Sequence, residues 1–87
     1  MKYWVYIMQS DTTMKYYVGQ TQDLEKRLEK HNRGYVISTR NAKPWKLVHK
    51  EECENRSKAV KLEKKIKGRG ALRYIEDQNY RDVAQSG

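Results

Sequence analysis

A single cysteine, Cys53, excludes an intramolecular disulfide. No CxxC pair or Cys/His cluster suggests zinc. Such sparing cysteine use suits a reducing compartment, so a cytoplasmic location is expected, and Cys53 reads as a strand or loop-edge residue, not a nucleophile. Long apolar runs are missing too. The most apolar stretch, Tyr3 to Met8, stops at Gln9-Ser10-Asp11, too short for a signal peptide or a membrane span. No repeat or low-complexity linker divides the chain, which predicts one domain over residues 1–83 and a frayed tail at 84–87. Acids are the other shortage: 11 Asp plus Glu stand against 19 Lys plus Arg, a net charge of +8. On a domain able to bury only a thin core, that surplus favours a polyanionic partner, because a bound polyphosphate sheds its counterions. A merely soluble basic surface is the plainer alternative. Nine aromatics argue against disorder.

Residues 3–8 are rich in aromatic and β-branched side chains and apolar at every position, as in a central strand covered on both faces. A turn at Asp11-Thr12-Thr13 returns the chain as Tyr16-Tyr17-Val18-Gly19, making a hairpin with Trp4, Tyr6 and Met8 on one face. Thr21 or Asp23 caps the next helix, in which Leu24, Arg27, Leu28 and His31 recur at i, i+3, i+4 and i+7, and Gly34 ends it. A polar loop, residues 35–44, leads to a third strand, 45–50, with Trp45, Leu47 and His49 predicted on one face. Ser57 is the predicted cap of a second helix, 58–67, and a third covers 71–83 with Leu72, Ile75 and Val83 inward. The fold class is α/β: a small three-stranded antiparallel sheet flanked by helices, order ββαβαα.

Arg27, His31 and Glu63 sit where core residues belong. Each has a bland reading: Arg27 snorkels, His31 complements the helix dipole, Glu63 pairs with Lys67 one turn on. Together they offer a cation, a titratable base and a carboxylate beside a tyrosine-bearing hairpin, the two from the first helix standing at the rim of a shallow site. A carboxylate suits Mg²⁺, arginine neutralises charge growing on a phosphoryl group, and tyrosine passes a proton when a cation lowers its pKa. Such a set can hydrolyse a phosphodiester.

Val5-Tyr6-Ile7, Tyr17-Val18-Gly19, the run Thr21-Gln22-Asp23-Leu24-Glu25-Lys26-Arg27-Leu28-Glu29-Lys30-His31-Asn32, the strand Pro44 to Val48, and Ser57 to Lys67 around Glu63 follow one another in an order that resembles the GIY-YIG nuclease domain, and within it the small single-domain bacterial proteins. The resemblance spans roughly residues 2–76. It implies an endonuclease that uses one divalent ion, Mg²⁺ or Mn²⁺, held by Glu63. It further implies Tyr6 as general base, Tyr17 lining the phosphate site, Arg27 stabilising the pentavalent phosphorus, and His31 hydrogen-bonded to the base. Two departures stand out: Trp4-Val5 replaces the first glycine before Tyr6, and Gln20 stands where some relatives have lysine. The implied substrate is DNA ahead of RNA, in repair or recombination.

Eight cations, Arg56, Lys58, Lys61, Lys64, Lys65, Lys67, Arg69 and Arg73, surround the lone acid Glu63. A solvated helix face is the bland reading; a phosphate-attracting surround for Glu63 is the functional one. The expected nucleic-acid contacts are Lys61, Lys64, Lys65, Lys67 and Arg69 there, with Arg33, Arg40 and Lys43 across the site. Tyr35 is a candidate for base stacking, as is Trp45, which better suits the core. Nothing resembles a base-reading recognition helix or a separate targeting segment, so selectivity for nucleic-acid structure, a protein partner supplying specificity, and a monomer or weak dimer are expected. A catalytically weak nucleic-acid-binding module that keeps the fold is the alternative; a protein-interaction adaptor explains none of the site residues.

Overall fold

The structure, a computed structural model, describes residues 2–86, with side chains as far as residue 79. The element order is β1 (Tyr3–Ser10), β2 (Tyr16–Thr21), α1 (Leu24–Asn32), β3 (Trp45–Cys53), α2 (Arg56–Arg69) and α3 (Ala71–Ser86), with one turn of 3-10 helix at Arg40–Ala42 in the long loop. The sheet order is β2-β1-β3, antiparallel throughout. This is the ββαβαα α/β fold expected from the hydrophobic pattern. The predicted inward side chain of Val83 lies outside the described side chains, Gly87 lies outside the described residues, and α3 runs on to Ser86 where the sequence predicts a helix ending at residue 83.

Central position explains why β1 is apolar on both faces. Val5 and Ile7 join Val18, Cys53, Ala59, Ile66 and Tyr74 beneath α2 and α3. Tyr6 and Met8 join Trp45 on the opposite face, where Leu24 and Leu28 of α1 cover them. Trp45 is thus a core residue, its indole N–H donating to the Thr39 carbonyl at 2.8 Å, and is not free to stack on a base.

Three local expectations change. Opposite β1, Met8 pairs with Leu47 but Ile7 pairs with His49, so Val48 is an extra residue, a β-bulge. Because side chains alternate, the bulge sends His49 to the face opposite Leu47 and Trp45. There its ring meets Tyr74 edge-on at 5.6 Å. Next, α2 begins at Arg56, two residues earlier than expected: the Asn55 side-chain oxygen accepts the Lys58 N–H at 2.9 Å, and Asn55, not Ser57, is the cap. Finally, Leu72 is not inward. It is 49% exposed, whereas Tyr74 is buried. Successive helical residues turn by about 100°, so with Ala71 and Ile75 packed on the core, Leu72 swings outward. Tyr74 fills the inward place and donates its hydroxyl to the Glu51 carboxylate at 2.5 Å.

Helix α1 is held at both ends. Of its two predicted caps, Asp23 is the one used, accepting from Lys26 N–H at 3.1 Å. Its C-terminus closes through Gly34, at φ +81°, with Gly34 N–H to His31 C=O and Tyr35 N–H to Lys30 C=O, a Schellman closure. This closure fixes His31, in the last turn, over the sheet.

Candidate active site

Register places Tyr6 opposite Gly19, and the glycine makes room for the phenol. A Cβ on Gly19 would lie 2.6 Å from the Tyr6 hydroxyl oxygen and 2.7 Å from Cζ. The Tyr6 ring therefore lies directly over the β2 backbone, which carries its hydroxyl toward the open edge of the sheet. Tyr17, two residues earlier on the same face, stands beside it, with ring centroids 6.3 Å apart. Tyr17 also packs edge-on against His31 at 4.9 Å and against Trp45.

From α1, Arg27 Nε donates to the Tyr6 hydroxyl oxygen at 3.4 Å, and His31 Nε2 lies 2.9 Å from the same oxygen. His31 Nδ1 lies 2.8 Å from Thr39 Oγ1. These contacts assign the protons. Arginine has no acceptor to offer, so the Tyr6 O–H donates to His31 Nε2. His31 then carries its proton on Nδ1 and donates to Thr39 Oγ1, whose own proton goes to Val36 C=O at 3.4 Å. Burial, aided by the charge of Arg27, pulls the His31 pKa down to about 4. His31 is thus a fully buried neutral acceptor, not a cation at the rim and not a charged complement to the helix dipole. Burial also raises the Tyr6 pKa above the ordinary phenol value; the hydrogen bond from Arg27 opposes this, while Tyr17 and, more weakly, the charge of Glu63 add to it. Tyr6 rests protonated, with a donor ready to stabilise its anion and a base ready to take its proton.

Glu63 comes from the other side of the sheet. On α2 it falls between Ala59 and Ile66, which face the sheet, and its side chain is only 19% exposed. Its charge reaches the Tyr6 hydroxyl. At present Lys67 Nζ sits 3.3 Å from its Oε2, so the bland reading of that pair and a ligand role describe the same carboxylate. Among the described residues no group of three or more His, Cys, Asp or Glu gathers around a point. Mg²⁺ needs none: it commonly takes one or two protein carboxylates and keeps water and substrate phosphate for the rest. Gln20, on the same sheet face as Val18 and Glu63, has a buried carboxamide oxygen without a hydrogen-bond partner. One covered carboxylate suits an ion held largely by its substrate.

The expected phosphate contacts differ in availability. Lys61, Lys64 and Lys65 project from the exposed side of α2. Lys67 is paired with Glu63, Arg69 makes a two-pronged bridge to Asp77 at 2.8 and 3.1 Å, and Arg33 pairs with Glu29 at 2.7 Å. Arg40 and Lys43 approach Gly34, beyond the C-terminus of α1, and Tyr35 stands 68% exposed beside them. Thr39, which fixes the His31 tautomer, carried no signal in the sequence: it is one hydroxyl in a loop rich in them, and only closure of that loop over α1 brings it to the imidazole.

Residues 2–74 match the family model of the GIY-YIG catalytic domain. A UPF0213 protein of Syntrophus aciditrophicus is 42% identical over 69 residues, covering 76% of this chain and 77% of that protein. A UPF0213 protein of Staphylococcus aureus is 40% identical over 67 residues, 75% and 79% of the two chains. The solution NMR structure of a UPF0213 protein from Bacillus halodurans superposes with a TM-score of 0.53 at 27% identity, over 93% of this chain and 84% of that one. No described helix is long and apolar enough to cross a membrane.

Proposed function

This chain belongs to the GIY-YIG catalytic-domain family, a family of nucleases, and from that premise we propose that it is a divalent-metal-dependent endonuclease acting on DNA, in repair or recombination. The observation that carries the reading is the Tyr6 hydroxyl held between the Arg27 donor and the neutral His31 acceptor. Water attacking phosphorus must lose a proton. The Tyr6 oxygen takes it as its own proton passes to His31 Nε2, a short relay in which the phenol never holds a full negative charge. A new phosphorus–oxygen bond forms, the bond to the leaving sugar oxygen breaks, and that oxygen leaves with a proton from solvent.

Arg27 has two tasks. It covers Tyr6, which is only 1% exposed, and it is itself half-buried at the surface of the site. A phosphate arriving over Arg27 and Tyr17 draws the guanidinium to itself, which neutralises charge in the transition state and uncovers the phenol for water. Glu63 would hold a Mg²⁺ or Mn²⁺ ion; when bound, the ion polarises the phosphoryl oxygen and steadies the leaving group.

The burial of Tyr6 and the occupation of Glu63 by Lys67 favour one second reading, a nucleic-acid-binding module with weak catalysis. Incubating labelled single-stranded, nicked and branched DNA with Mg²⁺ or Mn²⁺ separates the two. The nuclease reading expects cleavage that Glu63→Gln and Arg27→Ala reduce at least a hundredfold. Salt-sensitive binding with no cleavage of any form, unchanged in Glu63→Gln, would establish the module instead.

A further inference from the structure

Beyond Tyr17, on the outer side of β2, lies an open groove of about 740 Å³. One wall is the β2 edge, Tyr16 to Val18; the other is the corner where α2 gives way to α3 at Gly70. The floor is apolar, from Val18 and Leu72, and Leu72 is 49% exposed there. Lys67 and Arg73 stand along the groove. Among the described residues, Arg73 makes no ion pair and no carboxylate lines the groove. An apolar floor with an aromatic side wall and cations at its rim complements a nucleotide: a flat base below, a phosphate above. A wholly apolar partner would leave the cations unmatched, and a simple anion would leave Leu72 uncovered.

Position supports the same occupant. Tyr17 borders both this groove and the Tyr6–His31 cluster. Lys67 borders the groove while reaching Glu63. A strand whose scissile phosphate lies over Arg27 and Tyr17 therefore continues across the β2 edge into the groove. Resting on the nuclease reading above, we propose that this groove is a nucleotide subsite: it takes one unpaired nucleotide next to the scissile phosphate, with its base on Leu72 and Tyr16 and its phosphate on Arg73. A continuous duplex does not enter it, so cleavage next to a flap, gap or free end is favoured over cleavage within intact duplex.

The test is binding of a fluorescein-labelled short oligothymidylate in chelator, followed by anisotropy, with amide-shift mapping of the wild-type chain. It needs no metal and no turnover. Leu72→Glu and Arg73→Glu, both on exposed positions, are expected to weaken binding about tenfold or more. Lys2→Glu, the same charge change at the Glu52 bridge, is expected to weaken it less than threefold. Amide shifts should centre on Val18, Gly70 and Leu72. Groove variants that bind no worse than Lys2→Glu, shifts centred elsewhere, or groove shifts produced by raising protein concentration alone (a second copy as occupant) would each overturn the proposal. An absence of cleavage with the groove effects intact would instead count against the nuclease reading and leave the subsite standing.

Discussion

Gly19 and His31 are two residues whose substitution should report directly on the site. Alanine at Gly19 brings a Cβ to 2.6 Å from the Tyr6 oxygen and 3.0 Å from Tyr17 Cε1, and rigid rings and backbone leave little room to yield. Gly19→Ala is expected to cost about 1–3 kcal/mol in denaturant unfolding, the usual range for overpacking, and to displace the Tyr6 hydroxyl from His31. His31 makes a pH prediction. Its native pKa, about 4, lies below the ordinary histidine value near 6.5, so between those limits the unfolded chain binds the extra proton. Stability is then full above about pH 6.5, falls as pH drops through that window and levels off below about 4, a loss of about 3 kcal/mol from this group. Unfolding free energies of wild type and His31→Asn across pH 4–7 check it: the variant should lack that part of the slope. Arg27 and His31 were legible in the sequence because a polar residue on an apolar stripe is conspicuous, and Tyr6 through the resemblance to the GIY-YIG domain. The burial and neutrality of His31 were not, because they depend on Thr39 and the loop that closes over α1.

Among the elements, strand order and helix number followed from periodicity, while caps and facing did not. Asn55 and Ser57 are both good capping types two residues apart, and only the backbone decides between them; Asn55→Ala is expected to lower stability by about 1 kcal/mol, with Ser57→Ala within a few tenths, measured by thermal or urea unfolding. His49 was misplaced because a period-two reading cannot anticipate the extra residue at Val48. Leu72 was misplaced because apolar character alone cannot separate Leu72 from Tyr74, and Tyr74 wins through its hydroxyl's bond to Glu51. The same two surprises shape the molecule: one puts a histidine behind the sheet, and the other leaves a leucine in the groove.

At the scale of the whole molecule, the net charge of +8 overstates the cations free to meet a phosphate, because Arg33, Lys67 and Arg69 already hold carboxylates. Oligonucleotide binding should weaken linearly in log–log salt titration, with a slope of about −0.7 per phosphate contacted on a single strand, and Arg73→Glu should flatten the slope by about one contact while Lys2→Glu leaves it unchanged. Glu63 was legible as the lone acid of a basic run, yet its approach from the opposite side of the sheet to α1 is a property of the assembled three layers. The proposed cleavage depends above all on the Tyr6 hydroxyl as the point where the attacking water loses its proton. Single-turnover cleavage of labelled DNA in Mn²⁺ by wild type and Tyr6→Phe, with oligonucleotide affinity measured alongside, tests it most directly. A rate reduced about 10²–10⁴-fold with affinity within about twofold is the predicted result; a phenylalanine variant that cuts as fast as wild type would contradict it.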